Sequence, residues 1–248
     1  MTAWLRKRLA ATLAGLPLIA ATPATAGGLQ VSPVSVTLTA RESADGLTLS
    51  NVSVATVHAQ VRVYRWRQGA EGDVLEPSAG LAISPPMVAL EPGGSQLVRV
   101  IRTGPAPATG AAEDSYRIVV DELPLADANA GGGLAFVFRY SLPAFVEPAG
   151  TEPRPELEWN LTDVDGTIAL TVRNSGRKHA QVADVAVRWS DGERTELAPG
   201  LLGYALPGSS ITWGTAVPWR RGASIGSLEV RINGQEAQPD LLLAAAPR

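Results

Sequence analysis

Cysteine is absent from all 248 residues. Disulfides, thiolate metal sites and thiol nucleophiles are thereby excluded, and any domain must stand on core packing alone. Histidine is nearly absent: His58 and His179 lie far apart, and neither has a second histidine or a carboxylate at metal-ligand spacing. No metal and no cofactor are expected. Beyond the first residues there is no apolar run long enough to read as a membrane span. A basic block is missing too. With 21 Lys and Arg against 24 Asp and Glu the net charge is −3, so nucleic acid is not an expected partner. Nor is there a G-x-S-x-G elbow, a Walker loop or a dinucleotide-type glycine fingerprint. Ser95 behind Gly93-Gly94 reads as a turn residue entering a strand. Glu156 and Glu158, two apart on a strand, read as its solvent face. No enzyme is expected.

What is present is apolar and β-patterned. Apolar residues make up 45% and charged residues 18%, enough for a packed core. Residues 1–26 read as a secretory leader: basic Arg6, Lys7 and Arg8, an apolar Leu9 to Ala21, then Pro23 and a small-residue Ala24-Thr25-Ala26 cleavage site. Export follows from that leader, and its loss leaves a more acidic chain.

The remainder divides at Glu147-Pro148-Ala149-Gly150-Thr151-Glu152-Pro153-Arg154-Pro155, where three prolines and a glycine mark a stiff linker. The expected organisation is therefore a domain at 27–146, a linker at 147–155 and a domain at 156–248. In the first, β-rich segments recur at Val31 to Leu38, Leu47 and Leu49, Val57 to Arg67, Met87 to Leu90, Leu97 to Arg102, Tyr116 to Glu122 and Leu134 to Val146. Ala44-Asp45-Gly46 and Glu91-Pro92-Gly93-Gly94 read as turns. In the second, Leu157, Trp159 and Leu161 alternate, as do Ile168, Leu170 and Val172, and Val185, Val187 and Trp189. Further segments lie at Ile211 to Trp213 and Leu228 to Ile232, and Asp165-Gly166, Asp191-Gly192 and Asn233-Gly234 are hairpin signals. About seven short strands per half predict an all-β chain of two immunoglobulin-like β-sandwich domains without the disulfide of antibody domains.

Three stretches of the first half carry a family resemblance. Ser84-Pro85-Pro86-Met87-Val88-Ala89-Leu90-Glu91-Pro92-Gly93 resembles the "PP…LEPG" segment of periplasmic pilus-assembly chaperones of the chaperone–usher pathway. Gln96-Leu97-Val98-Arg99-Val100 resembles the strand that follows it there. Tyr116-Arg117-Ile118-Val119-Val120-Asp121-Glu122-Leu123-Pro124 resembles the strand ending in "E-[IL]-P". Order and spacing match, and the motifs are most similar to the archaic branch associated with spore-coat-U-like pilins. The resemblance implies a chaperone that captures pilin subunits, lends them a β-strand and delivers them to an outer-membrane usher. Self-association of the free chaperone is a further expectation.

The same resemblance assigns the lent strand to Leu134, Phe136 and Phe138, which share one face at i, i+2, i+4. It also implies a basic anchor for the subunit's terminal carboxylate. The two positions at which the better-known branch is basic are Ser35 and Phe138 here, so the anchor is sought at Arg139, which follows the apolar row, and at Arg117. Arg99 is expected to pair with Glu122 within the domain. The competing reading is an exported immunoglobulin-like binding or adhesion module, with Trp189, Trp213 and Trp219 as an exposed aromatic platform.

Overall fold

The computed structural model describes residues 28–69, 72–124, 137–150 and 152–241. Among them the chain forms seventeen strands, numbered here in chain order, and no helix. The first ten build one sandwich. Its first sheet runs β1 (Leu29–Ser32), β3 (Ala44–Asn51), β8 (Ser95–Arg102), β6 (Leu81–Ser84). Its second runs β2 (Val36–Leu38), β10 (Arg139–Val146), β9 (Asp114–Leu123), β4 (Val57–Gly69), β5 (Gly72–Pro77), with β7 (Met87–Leu90) on the first residues of β4. Alternate residues close the core between them, among them Leu38, Leu47, Leu49, Val98, Val100, Ile118 and Ala144.

Val31 to Leu38, expected as one strand, is two. β1 pairs antiparallel with β3, while β2 pairs parallel with the end of β10 in the other sheet. Pro33 lies in the break, where its missing N–H cannot continue a ladder. Ala44-Asp45-Gly46, expected as a turn, lies inside β3 opposite Ile101, Val100 and Arg99. Gly46 belongs there because the Leu97 side chain lies over it; an added Cβ would stand 2.8 Å from Leu97 Cδ1.

The second sandwich packs the sheet β11 (Leu157–Val164), β12 (Thr167–Asn174), β15 (Ser209–Pro218) on the sheet β14 (Arg194–Ala205), β13 (Ala180–Trp189), β16 (Ile225–Ile232), β17 (Gln235–Ala237). The turns at Asp165-Gly166 and Asn233-Gly234 place both residues at positive φ, as two-residue hairpins require. β14 escaped the pattern because Pro199-Gly200 interrupts it; the strand continues through shifts of register, with Gly200 at φ +67°. Trp189 is buried, and its indole N–H donates to Thr195 Oγ1 at 2.9 Å. Trp213 and Trp219 pack against the same core. With Trp189 in the interior and the other two half-buried against it, these three tryptophans do not form the exposed platform of the competing reading.

Where the two sandwiches meet, Trp66, Phe145, Tyr204 and Leu206 form a separate buried cluster. Gln68 at the end of β4 donates to the Tyr204 carbonyl (2.8 Å) and accepts from the Leu206 N–H (2.9 Å). One side chain thus stands in for a strand partner across the junction. On the other flank the buried Glu113 accepts from the His179 N–H at 2.6 Å and meets His179 Nδ1 at 2.7 Å, with the imidazole stacked on Phe145. Lys178 holds Glu147 at 3.0 Å, and the Arg154 carbonyl accepts from the Arg177 N–H at 2.9 Å. Residues 152–155 are therefore laid against the second sandwich. Gly176 permits that contact, because a Cβ there would strike the Arg154 and Pro155 backbone.

Candidate functional site

β10 is bonded unequally on its two sides. Along its whole length it pairs with β9, from Arg139 opposite Asp121 to Val146 opposite Asp114. On the other side β2 covers only Ala144 to Val146. The stretch from Arg139 to Pro143 is an open edge among the described residues. The Glu122 N–H donates to the Phe138 carbonyl at 2.9 Å, and this sets the phase of the ladder. Antiparallel strands alternate their bonding, so Arg139 and Ser141 turn their N–H and C=O groups outward. Pro143 is next in that series, where a missing N–H costs β9 nothing.

The even-numbered side chains of β10 face inward. Leu142 and Ala144 belong to the core, and Tyr140 packs on its margin with its hydroxyl donating to the Leu29 carbonyl at 2.5 Å. Phe138 continues that row beyond the core, 37% exposed, with its ring stacked toward Tyr140 at 6.3 Å. Leu134 and Phe136, the other two residues assigned to the lent strand, lie outside the described residues.

The odd-numbered side chains of β9 and β10, with the even-numbered ones of β4, form the outer face of this sheet. Arg139 lies on it at the end remote from the second sandwich. Its side chain is paired with Asp121, which also holds Arg62. Burial alone would push the Asp121 carboxyl up, but the hydrogen bonds from Arg62 and Arg139 outweigh it and hold the group below its ordinary value. Arg139 is thus already engaged, although its side chain remains largely in solvent.

Arg117 lies four residues nearer the junction, opposite Pro143, a separation of roughly 13 Å along the strand. Its surroundings are different. The guanidinium carbon stands 3.7 Å from the Trp66 ring centre and 5.5 Å from that of Tyr204. Only 15% of the side chain is exposed, and burial pushes the guanidinium below its ordinary value against the pull of Asp73 and Tyr204. The polar neighbours are few: the Ser141 carbonyl at 3.4 Å and Asp73 at 3.7 Å. Its remaining N–H capacity opens on a cleft of about 340 Å³ between the sandwiches, lined by Gln68, Asp73, Leu202, Tyr204 and Trp213. A buried, fixed guanidinium with unspent donors can take a carboxylate in a two-pronged grip.

The expected pair of Arg99 and Glu122 is not formed among the described residues. Arg99 is exposed on β8 in the first sheet, whereas Glu122 lies one residue before the end of β9 in the second and accepts from the Phe138 N–H at 3.3 Å. Arg99 points outward from the first sheet, between inward-facing Val98 and Val100, whereas Glu122 continues the inward row of β9 beyond Val120, so the first sheet itself stands between the two side chains. Ser35 lines the junction beside Phe145, but Phe138 stands at the remote end of the sheet, so those two positions do not meet. Sequence reasoning missed Arg62, Trp66, Gln68 and Tyr204. The alternation of Tyr64, Trp66 and Gln68 on the outer face of β4 was a legible signal, because aromatic residues on a solvent face call for a cover. Nothing local marked Tyr204.

A family model described as "Pili and flagellar-assembly chaperone, PapD N-terminal domain" matches residues 28–152. A comparison with curated proteins returns no match. Among solved structures, the chain is similar to one in the CsuC–CsuE chaperone–tip adhesion subunit pre-assembly complex of archaic chaperone–usher Csu pili from Acinetobacter baumannii. The identity is 20%, over 88% of this chain and 99% of that one, with a TM-score of 0.68. It is likewise similar to a chain in the Salmonella enterica complex of SafA pilin with the SafB chaperone, at 18% identity over 88% and 95% with a TM-score of 0.61. The Pseudomonas aeruginosa CupB2 chaperone matches at 22% identity over 87% and 100%, with a TM-score of 0.57. At these identities the likeness establishes the fold.

Proposed function

The chain belongs to the family of pili and flagellar-assembly chaperones defined by the PapD N-terminal domain, and we propose that the open half of β10 is the strand it lends to a pilin subunit. The protein is a pilus-assembly chaperone and not an enzyme. Its partners are pilin subunits and, downstream, the usher of the pathway. The observation that carries the strand assignment is the open edge from Arg139 to Pro143, whose inward row runs past its own core to Phe138. An immunoglobulin-like subunit lacking one strand needs a ladder of backbone bonds and a row of apolar side chains, and this edge offers both.

The terminal carboxylate of the subunit is held by Arg117 and not by Arg139. The buried guanidinium faces the cleft with donors to spare, whereas Arg139 already shares Asp121 with Arg62. Arg117→Ala is expected to weaken capture of a pilin with a free C-terminus by about 10–150-fold, the loss of a charged hydrogen-bonded pair. Arg139→Ala is expected to cost under about fivefold, as an exposed ion pair does. Titration of both variants with one purified pilin decides the order; a larger loss for Arg139→Ala returns the anchor to the remote end.

The protein works in the periplasm, carried there by the leader at residues 1–26. Intact-mass measurement of the exported protein is expected to show a chain beginning near Gly27, and a mass retaining Arg6 to Arg8 would contradict it.

A further inference from the structure

Arg117 belongs to the first sandwich, yet its position is completed by the second. Trp66 supplies one aromatic wall and Tyr204, from β14 of the second sandwich, supplies another. The two rings meet edge to face at 5.5 Å. Tyr204 is held at both ends. Its carbonyl accepts from Gln68 at 2.8 Å, and its hydroxyl accepts from Gln181 Nε2 at 3.0 Å. Both Trp66 and Tyr204 are buried. A free arginine side chain carries much rotamer entropy, which it loses when it grips a ligand; one already stacked on one ring and flanked by a second has little left to lose.

We infer that Tyr204 is a positioning residue, through which the second sandwich fixes the guanidinium of Arg117 for the subunit's carboxylate. This rests on the reading of Arg117 as the anchor. The second sandwich then contributes to the register of strand addition without touching the lent strand: its contact with the first sandwich sets the direction of the one charged group that stops the subunit's strand from slipping.

The test uses the full-length chain and a synthetic peptide of a pilin C-terminal strand, made both as the free acid and as the C-terminal amide. The readout is the ratio of the two dissociation constants. Wild-type protein is expected to prefer the acid by about 10–150-fold, and Arg117→Ala to abolish the preference. Tyr204→Leu is expected to reduce the preference at least about tenfold, the effect of one charge-assisted hydrogen bond. Tyr204→Phe, which keeps the ring, should retain it. Gln68→Ala, which releases the Tyr204 backbone without emptying the cluster, should lower it as well and serves if Tyr204→Leu does not fold. A wild-type preference in Tyr204→Leu or Gln68→Ala, alongside its loss in Arg117→Ala, overturns the positioning role and leaves the anchor standing. Equal affinities for acid and amide in the wild type remove the anchor itself.

Discussion

Asn51 and Asn174 are both buried, one at the end of β3 and the other at the end of β12. Each amide group donates twice, Asn51 to the carbonyls of Ala55 and Leu90, Asn174 to those of Lys178 and Ala205. Each side-chain oxygen accepts backbone N–H groups, from Ser53 in one case and from Glu156 and Gly176 in the other. One residue thereby shapes the loop after its strand and ties it to a neighbouring strand. The sequence even repeats around the two, since His58-Ala59-Gln60-Val61 and His179-Ala180-Gln181-Val182 follow. Alanine at Asn51 would strand buried backbone groups such as the Leu90 carbonyl. The expected cost is about 1–3 kcal/mol for each group left without a partner, read as a lower urea midpoint. A midpoint unchanged from wild type would mean that water replaces the amide. The same scale separates the two anchor candidates: an arginine spent on Asp121 and an arginine stacked over a tryptophan look alike in a string of letters.

At the scale of the element, β10 is one strand with two roles. Its second half is held between β9 and β2, and its first half has, among the described residues, a partner on one side only. The outward groups at Arg139 and Ser141 are therefore testable without disturbing the core. Ser141→Pro removes one outward N–H while sparing the bonds to β9, so the variant should fold and melt close to wild type. Its capture of pilin should weaken by about tenfold, corresponding to one lost hydrogen bond plus local crowding. Undiminished capture would place the lent edge elsewhere. β2 shows the complementary device: because the chain leaves the first sheet at Pro33, β2 joins the second, closes one end of β10 and so leaves a short open stretch among the described residues.

The whole molecule turns on the junction. Trp66, Phe145, Tyr204 and Leu206 give it an apolar centre, Gln68 gives it a hydrogen-bonded seam, and Glu113 with His179 and Lys178 with Glu147 flank it. Burial pulls the Lys178 ammonium down, yet Glu147 and then Glu152 outweigh that and hold it above its ordinary value. The lysine's share of the stability from that pair is complete from neutrality to about pH 10 and is lost as pH rises through the raised value, so it does not vary near neutrality. Gln68→Ala should loosen the junction without melting either sandwich. Small-angle scattering would then report a broader distribution of sizes, while the circular dichroism of the strands stays unchanged; an identical scattering curve would show the apolar cluster sufficient by itself.

Period-two alternation, glycine turns and a proline-dense break were enough to read two immunoglobulin-like sandwiches, because each of those signals is local and is written in a handful of adjacent residues. The motifs from Ser84 to Gly93 and from Tyr116 to Pro124 likewise carried the family, since spacing along a strand survives in the letters. The sheet switch at Pro33, the strand running through Pro199-Gly200 and the failure of Arg99 to reach Glu122 were decided by tertiary structure. The proposal of Arg117 over Arg139 likewise rests on tertiary structure. Alternation tells which face a side chain takes, but it does not tell which end of the sheet the second sandwich covers. Only when Tyr204 is folded back over Trp66, across more than a hundred residues of chain, does Arg117 become buried, fixed and short of partners.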